Sequence, residues 1–391
     1  MRSQSIAAQM GRGSLIRRAF EEGNRLKAIH GDDAVCDLSL GNPVIEPPAV
    51  FFEVLREEAG RRGAGLHRYM PNAGHAASRE ALAMRLRAVH GLPFSAGHVA
   101  FSVGAAGGLN AVLKAILEPG DEVLQLAPYF PEYVFYIENH GGRPVTVQTT
   151  PDFLPDADAV ARALGPKTRA LLLNSPNNPT GRVYPAESLH AIGEVLRAHE
   201  AKTGRAIVLI ADDPYSQLVF DGGTVPSPFA AHRHTVLVGC HSKDLAIPGE
   251  RIGYVAVHPL ADGADELMAA IAFTTRVLGF VNAPALMQRV AARLQGVSVE
   301  PALYARRRDR LLGALLAAGY ECVRPEGAFY LFPRAPGGDD AAFTARLQEH
   351  LVLVVPGSGF GTPGHFRIAY CCDEAVLERA IPRFEAAIRQ G

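Results

Sequence analysis

Between about residues 95 and 260 the chain repeats one pattern, a short and continuously apolar run followed by a stretch of helical period. The runs are VAFSV, EVLQLA, PVTVQ, RALLLN, AIVLIA, TVLVG and IGYVAV, with segments such as LNAVLKAIL and AESLHAIGEVLRAHE between them. A strand that is apolar on both sides must be covered on both sides. The alternation therefore predicts an α/β fold around a mainly parallel sheet. In such sheets ligands sit beyond the C-terminal ends of the strands, so the loops leaving those ends are where chemistry is expected.

After residue 285 the pattern changes to long helical stretches, APALMQRVAARL and VEPALYARRRDRLLGALLAAG, and then to the short pieces GAFYLFPR, LVLVVPG and HFRIAY. At 391 residues the chain exceeds one ordinary domain. The expected division is an N-terminal arm with part of a small domain at 1–45, a large domain at 46–285 and a small α+β domain at 286–391. Ahead of the sheet, GSLIRRAFEEGNRLKAIHG reads as a helix with Ser14 as its N-cap and Gly31 as its stop.

A net charge of −1 gives no general basic field for nucleic acid or an anionic membrane, so anion recognition has to be local. Apolar residues at 48% and a mean hydropathy of +0.06 fit a soluble chain with a large core. The five cysteines show no metal-type spacing, which favours free thiols and a reducing compartment. The N-terminal segment lacks a signal-peptide core, and Glu21 and Glu22 argue against a transit peptide. The expectation is cytoplasmic, with no nucleic-acid or membrane partner and no metal.

Five strand ends carry distinctive residues. SVGAAGGLNAVLKAIL, 102–117, places a glycine-rich turn before a helix, an arrangement that binds anions through free amides or simply makes a tight turn. LAPYFPEY, 126–133, offers Phe130 to a planar ligand or to the core. NSPNNPTG, 174–181, has more side-chain amides than a turn needs. LIADDPYSQLVF, 209–220, ends a buried strand on Asp212 and Asp213, where a carboxylate needs a partner or caps a helix. SKDLAIPGERIGY, 242–254, sets Lys243 just past a strand with Arg251 eight residues on. A desolvated lysine near another cation loses its proton more easily and becomes a nucleophile.

Together with LSLGNP, HRYMPNAGHAASREALA, PEGAFYLFP and HFRIAY, these segments resemble the class I and II aminotransferases, pyridoxal 5'-phosphate enzymes of fold type I, over nearly the whole chain. The resemblance implies a seven-stranded, mainly parallel sheet in a large domain plus a smaller α+β domain. It implies transfer of an amino group from an L-amino acid to a 2-oxo acid, with Lys243 forming the internal aldimine. Asp212 would pair with the ring nitrogen, Tyr215 and Asn178 would reach the phenolic oxygen, and Phe130 would stack on the ring. The backbone at Ala105 and Ala106, with Ser242 and Arg251, would hold the phosphate, and Tyr69 would reach it across a homodimer interface with shared active sites. Arg367 would grip the substrate α-carboxylate, with Gly41 close by. Asn178 belongs to the substrate side of the pocket as well.

Two positions depart from the family pattern. Cys240 stands where relatives often carry serine, and GAAGG lacks their hydroxyl residue, which shifts phosphate binding toward Ser242, Arg251, Tyr69 and backbone amides. Arg276 falls where dicarboxylate-specific relatives place an arginine from the partner subunit; it is either that group, making aspartate or glutamate the donor, or a solvated charge. Arg182 is a weaker rival, and Phe329 and Tyr330 either line the pocket or pack. His241 is expected in a supporting or core position. The run ARRRDR, 305–310, is expected on a solvated face. The alternative activity is another reaction of the same cofactor: a C–S lyase, a decarboxylase, an aminocyclopropane-carboxylate-synthase-like enzyme or an amino acid oxidase. A cofactor-sensing regulator would need an appended DNA-binding domain.

Overall fold

The computed structural model describes residues 2–11 and 15–389. Ser14, expected to cap the first long helix, lies outside them. That helix runs Leu15–His30 and stops at Gly31, whose φ of 88° few other residues tolerate and whose N–H donates to the Lys27 carbonyl at 2.8 Å. Its inner face carries Leu26 against Val35 and Leu353.

Seven strands form the central sheet: β1 (Val99–Val103), β2 (Glu122–Ala127), β3 (Arg143–Gln148), β4 (Thr168–Asn174), β5 (Val208–Asp213), β6 (Thr235–Cys240) and β7 (Ile252–Val257). Their order is β1-β7-β6-β5-β4-β2-β3. All pairings are parallel except those of β7, which runs against both β1 and β6. Alternate residues of one strand feed opposite cores. Ala170 and Leu172 of β4 face the cluster that includes Val236 and Val238, while Leu171 and Leu173 face Leu189, Ile192 and Leu196. Strand β3 forms an outer edge, mostly outside the core, and carries Arg143 and Pro144, residues that discourage further pairing.

The reversal of β7 positions the chemistry. Because β7 runs backwards, it begins at the edge where the other six strands meet their outgoing loops or helices. The eleven residues 241–251 therefore leave β6 and re-enter the sheet at the same edge. Next to them, helix α1 (Gly104–Ile116) starts directly from the end of β1, with its first-turn N–H groups at that edge.

A second body carries the antiparallel set Val355–Pro356, Phe366–Ala369 and Tyr330–Leu331, and the parallel pair Cys36–Asp37 with Val352–Leu353. Helices α2 (Pro301–Ala317) and α3 (Glu374–Arg389) cover it. Its core also takes Tyr215, Leu218 and Phe220 from the loop after β5, so the two bodies share side chains just below the candidate site. The helix Ala285–Arg293 follows the boundary read at 285, yet Met287, Val290 and Ala291 pack with Phe51, Leu82 and Leu86 of the first body. Among the described residues no helix is long and apolar enough to cross a membrane.

The arginine run departs from its expected solvated face at two positions, while Arg306, Asp309 and Arg310 are exposed. Arg307 and Arg308 are buried on α2, and Arg308 is fully covered. Its guanidinium bonds the carboxylate of Asp309 and the Pro325 carbonyl, ion-pairs with Asp221 at 3.0 Å, and lies 4.9 Å from the Phe220 ring centre. A planar cation with this many acceptors is tolerated inside because each desolvated N–H finds an oxygen. Sequence alone shows the charges but not the acceptors that come from elsewhere in the chain.

Candidate active site

A pocket of about 310 Å³ opens at the C-terminal edge of the sheet. It gathers Gly41, Ala105, Ala106, Phe130, Asn178, Asp212, Tyr215, Ser242, Lys243, Arg251 and Arg367, residues from seven separate stretches of sequence. Tyr330, Asn174, Tyr136 and Cys240 complete much of the wall.

Lys243 lies three residues past β6. Its Nζ donates to the Gly41 carbonyl at 2.7 Å and sits 5.7 Å from the Phe329 ring centre. Burial, followed among the lowering influences by the nearby charges of Arg251 and Arg367, holds its pKa below the usual lysine value. An amine so placed is a better nucleophile than a solvated one. Gly41 is required at its position, since a Cβ there would collide with the Tyr330 hydroxyl.

Asp212 is the penultimate residue of β5 and is 6% exposed. One carboxylate oxygen accepts a hydrogen bond from Tyr133; the other is buried with no partner. Burial, partly offset by the Tyr133 bond and aided by the charge of Asp213, raises its pKa to about 7. Among the described residues the carboxylate thus has no cation beside it. Tyr133 is a contributor that sequence reasoning missed, although its spacing from Phe130, one helical turn along PYFPEY, places the two rings on one side. They meet edge to face at 5.5 Å between centres.

Arg367, on the strand Phe366–Ala369, is 1% exposed. Its guanidinium lies between Tyr330 and Phe360, 4.8 and 4.9 Å from their ring centres. One terminal nitrogen donates to Asn178 Oδ1 at 3.0 Å and the other to the Ser39 carbonyl, while Nε is buried without a partner. Asn178 is held in turn by its own N–H, which donates to Asn174 Oδ1 at 2.7 Å. Tyr215 and Tyr330 share a hydroxyl–hydroxyl bond of 2.8 Å.

The anion side is built from backbone. Arg251 adopts a left-handed φ of 52° and donates to the Pro248 carbonyl at 3.0 Å. Its guanidinium lies against Gly104, where any side chain would strike it. Gly253 is equally constrained, because a Cβ would meet the backbone of Gly104, Ala105 and Gly239. Gly249 has open space around it, so of the two glycines in SKDLAIPGERIGY only Gly253 is sterically required. Cys240 is buried and burial raises its thiol pKa, so it stays a neutral S–H, a weaker donor to an anion than the serine hydroxyl it replaces.

Three expected positions lie outside this pocket. Tyr69 is 90% exposed. Arg276 is exposed, with its guanidinium 5.2 Å from the Phe273 ring centre. Arg182 sits 3.5 Å from Glu326 and does not line the pocket. His241 is buried below the site, bonded to Asp244 at 3.0 Å.

A family model described as aminotransferase class I and II matches residues 34–384. The aspartate/prephenate aminotransferase of Thermus thermophilus is 37% identical over 362 residues, covering 89% of each chain. Among solved structures, an amino transferase from Eubacterium rectale superposes with a TM-score of 0.95 at 36% identity, over 100% of this chain and 99% of its own. The aspartate aminotransferase of Thermus thermophilus with maleate superposes at 0.88 with 32% identity, over 99% and 100%.

Proposed function

The chain belongs to the class I and II aminotransferases, and from that premise we propose that the pocket around Lys243 and Asp212 is its catalytic centre, with acidic amino acids as preferred donors. The protein is a pyridoxal-phosphate-dependent transaminase of fold type I. Bound there, the cofactor supplies an electron sink for the pair released when the substrate's Cα–H bond breaks.

The residues present fit that group. The observation that carries the reading is the buried, partnerless oxygen of Asp212, a carboxylate awaiting a protonated ring nitrogen. Tyr133 occupies the other oxygen and so fixes which one faces the ring. Asn178 and Tyr215 would bind the phenolic oxygen, and Phe130 would cover the ring. The amides at Ala105 and Ala106, with Ser242 and Arg251, would hold the phosphate at the start of α1.

Arg367 would bind the substrate α-carboxylate, oriented by Asn178, Ser39 and the two rings that flank it. Lys243, once free of the cofactor, would accept the proton from the substrate α-carbon on Nζ and return it later in the exchange. Its lowered pKa favours the accepting form. The Gly41 carbonyl would hold the amine between those steps.

The acidic preference rests on Arg276 reaching a neighbouring protomer's pocket. Its exposure, the exposed Phe273 and Val277 beside it, and the near-total exposure of Tyr69 support a homodimer in which both residues are used across the interface. The Thermus neighbour binding maleate, a dicarboxylate, points the same way. Five free cysteines support a cytoplasmic location.

The test is a panel of amino acids mixed with the cofactor-loaded enzyme, following loss of the aldehyde-form absorbance in single turnovers. Aspartate and glutamate are expected to react at least tenfold faster than alanine or phenylalanine, and Arg276→Ala to remove most of that margin. Equal rates in the parent enzyme would sink the acidic preference. A protein that takes up no cofactor would sink the pocket assignment.

A further inference from the structure

A second cavity, about 370 Å³, lies behind the first. Asp212, Pro214 and Cys240 form a wall common to both, yet Lys243, Asn178, Arg251 and Arg367 take no part in the second. Its charged lining comes from Arg85, Asp213 and Asp244, with His241 and Gln217 between them.

Asp244 is already satisfied. It accepts from Gln217 at 2.8 Å, from His241 Nδ1 at 3.0 Å and from the Leu245 N–H at 2.8 Å. In the tautomer that donates through Nδ1, Nε2 is an acceptor, and among the described residues that atom is buried with no partner in a residue 4% exposed. Arg85, on the helix Ala76–His90, makes no hydrogen bond or ion pair among the described residues. Asp213 accepts from the Ser216 N–H at 3.0 Å but, among the described residues, has no cation within ion-pairing distance. The cavity thus presents one unpaired cation, one unpaired anion and one unused acceptor, with Arg85 and Asp213 too far apart to pair.

We propose that this cavity binds a free α-amino acid, its carboxylate on Arg85 and its ammonium on Asp213 and His241 Nε2. A zwitterion compensates both charges at once. A simple anion would leave Asp213 uncompensated and face the three carboxylates of Asp212, Asp213 and Asp244, and a simple amine would leave the guanidinium alone. Burial pushes Asp213 up to about 6, a cost that a bound ammonium would relieve. The volume lies at the small end of the range for small-molecule sites, enough for an amino acid but not for a nucleotide.

The test uses the cofactor-loaded enzyme after borohydride reduction, which fixes the cofactor to Lys243 so that amino acids cannot react. Equilibrium dialysis with labelled L-alanine, pyruvate and ethylamine then reads the cavity directly. L-Alanine is expected to bind at least tenfold more tightly than either of the others. Arg85→Gln and the isosteric Asp213→Asn should each weaken it at least tenfold, and Arg85→Lys should restore part of the loss. Arg367→Gln should leave this binding in place, and Arg85→Gln should leave transamination kcat within twofold of the parent. Should Arg85→Gln fail to fold, Arg85→Lys and Asp213→Asn carry the comparison. Alanine binding that disappears with Arg367→Gln but ignores the Arg85 and Asp213 changes overturns the proposal, as does pyruvate binding as tightly as alanine or no alanine binding at all.

Discussion

The two edges of the central sheet treat two carboxylates, Glu200 half-buried and Asp212 buried, in opposite ways. At the edge where the strands begin, Glu200 accepts from the Ile207 N–H at 2.7 Å and from His234 at 2.9 Å, and lies 3.3 Å from His232. Those bonds outweigh burial and draw its pKa down to about 2. At the edge where the strands end, Asp212 receives one hydrogen bond, keeps one oxygen bare and is pushed up to about 7. The first carboxylate is completed by its own chain and stabilises the fold. The second is left incomplete, and that deficit is what a cationic ring can use. An unsatisfied buried group is costly to stability, so its persistence marks a place where something else is meant to bind.

Asp212→Asn tests this contrast most severely. It should lower kcat/KM by about 10²–10³ while leaving the cofactor-free protein at least as stable as the parent at pH 8. Activity within tenfold of the parent would break the contrast. Glu200→Gln should do the reverse, costing about 2 kcal/mol in denaturant unfolding with kcat per folded molecule unchanged. Tyr133→Phe should be milder, lowering kcat about tenfold through a misaligned and less stabilised Asp212. It should also move the Asp212 titration further up, because the lost bond favoured the charged form.

Melting curves against pH give the smallest effect and sharpen the comparison by sign. Glu200 has a depressed folded pKa, so its contribution is present above the unfolded value near 4.5 and fades as pH falls toward about 2. Asp212 has a raised folded pKa. In cofactor-free protein its contribution is therefore complete below about 4 and is lost as pH rises through about 7. Glu200→Gln should flatten the acid limb alone, and Asp212→Asn the neutral limb alone. If both variants change the same limb, the two edges are not the opposites described here.

Much of this edge is legible in the amino-acid sequence because strand ends announce themselves. Each apolar run from VAFSV to IGYVAV is a strand, and Asp212, Asn178 and Lys243 each follow one closely. The reversal of β7 is not legible, since a strand buried on both faces is apolar whichever way it runs. Nor is the burial of Arg307 and Arg308, whose surroundings come from distant segments. Tyr133 hides for a related reason: a tyrosine on a helix reads as packing until the carboxylate 79 positions away is placed beside it. Tyr69 and Arg276 are a different case, because neither lines the pocket of this chain.

The backward course of β7 also sets a mechanical limit. Lys243 and Arg251 ride on one short span clamped at both ends by neighbouring strands, so the distance between them is nearly fixed. Arg367 rides on a strand of the other body and reaches the first through a side-chain hydrogen bond to Asn178 rather than through a continuous span of chain. If Arg367 and Lys243 hold a substrate as proposed, that substrate would be a strut between two masses, and the stiffness of the cleft should depend on whether that strut is in place.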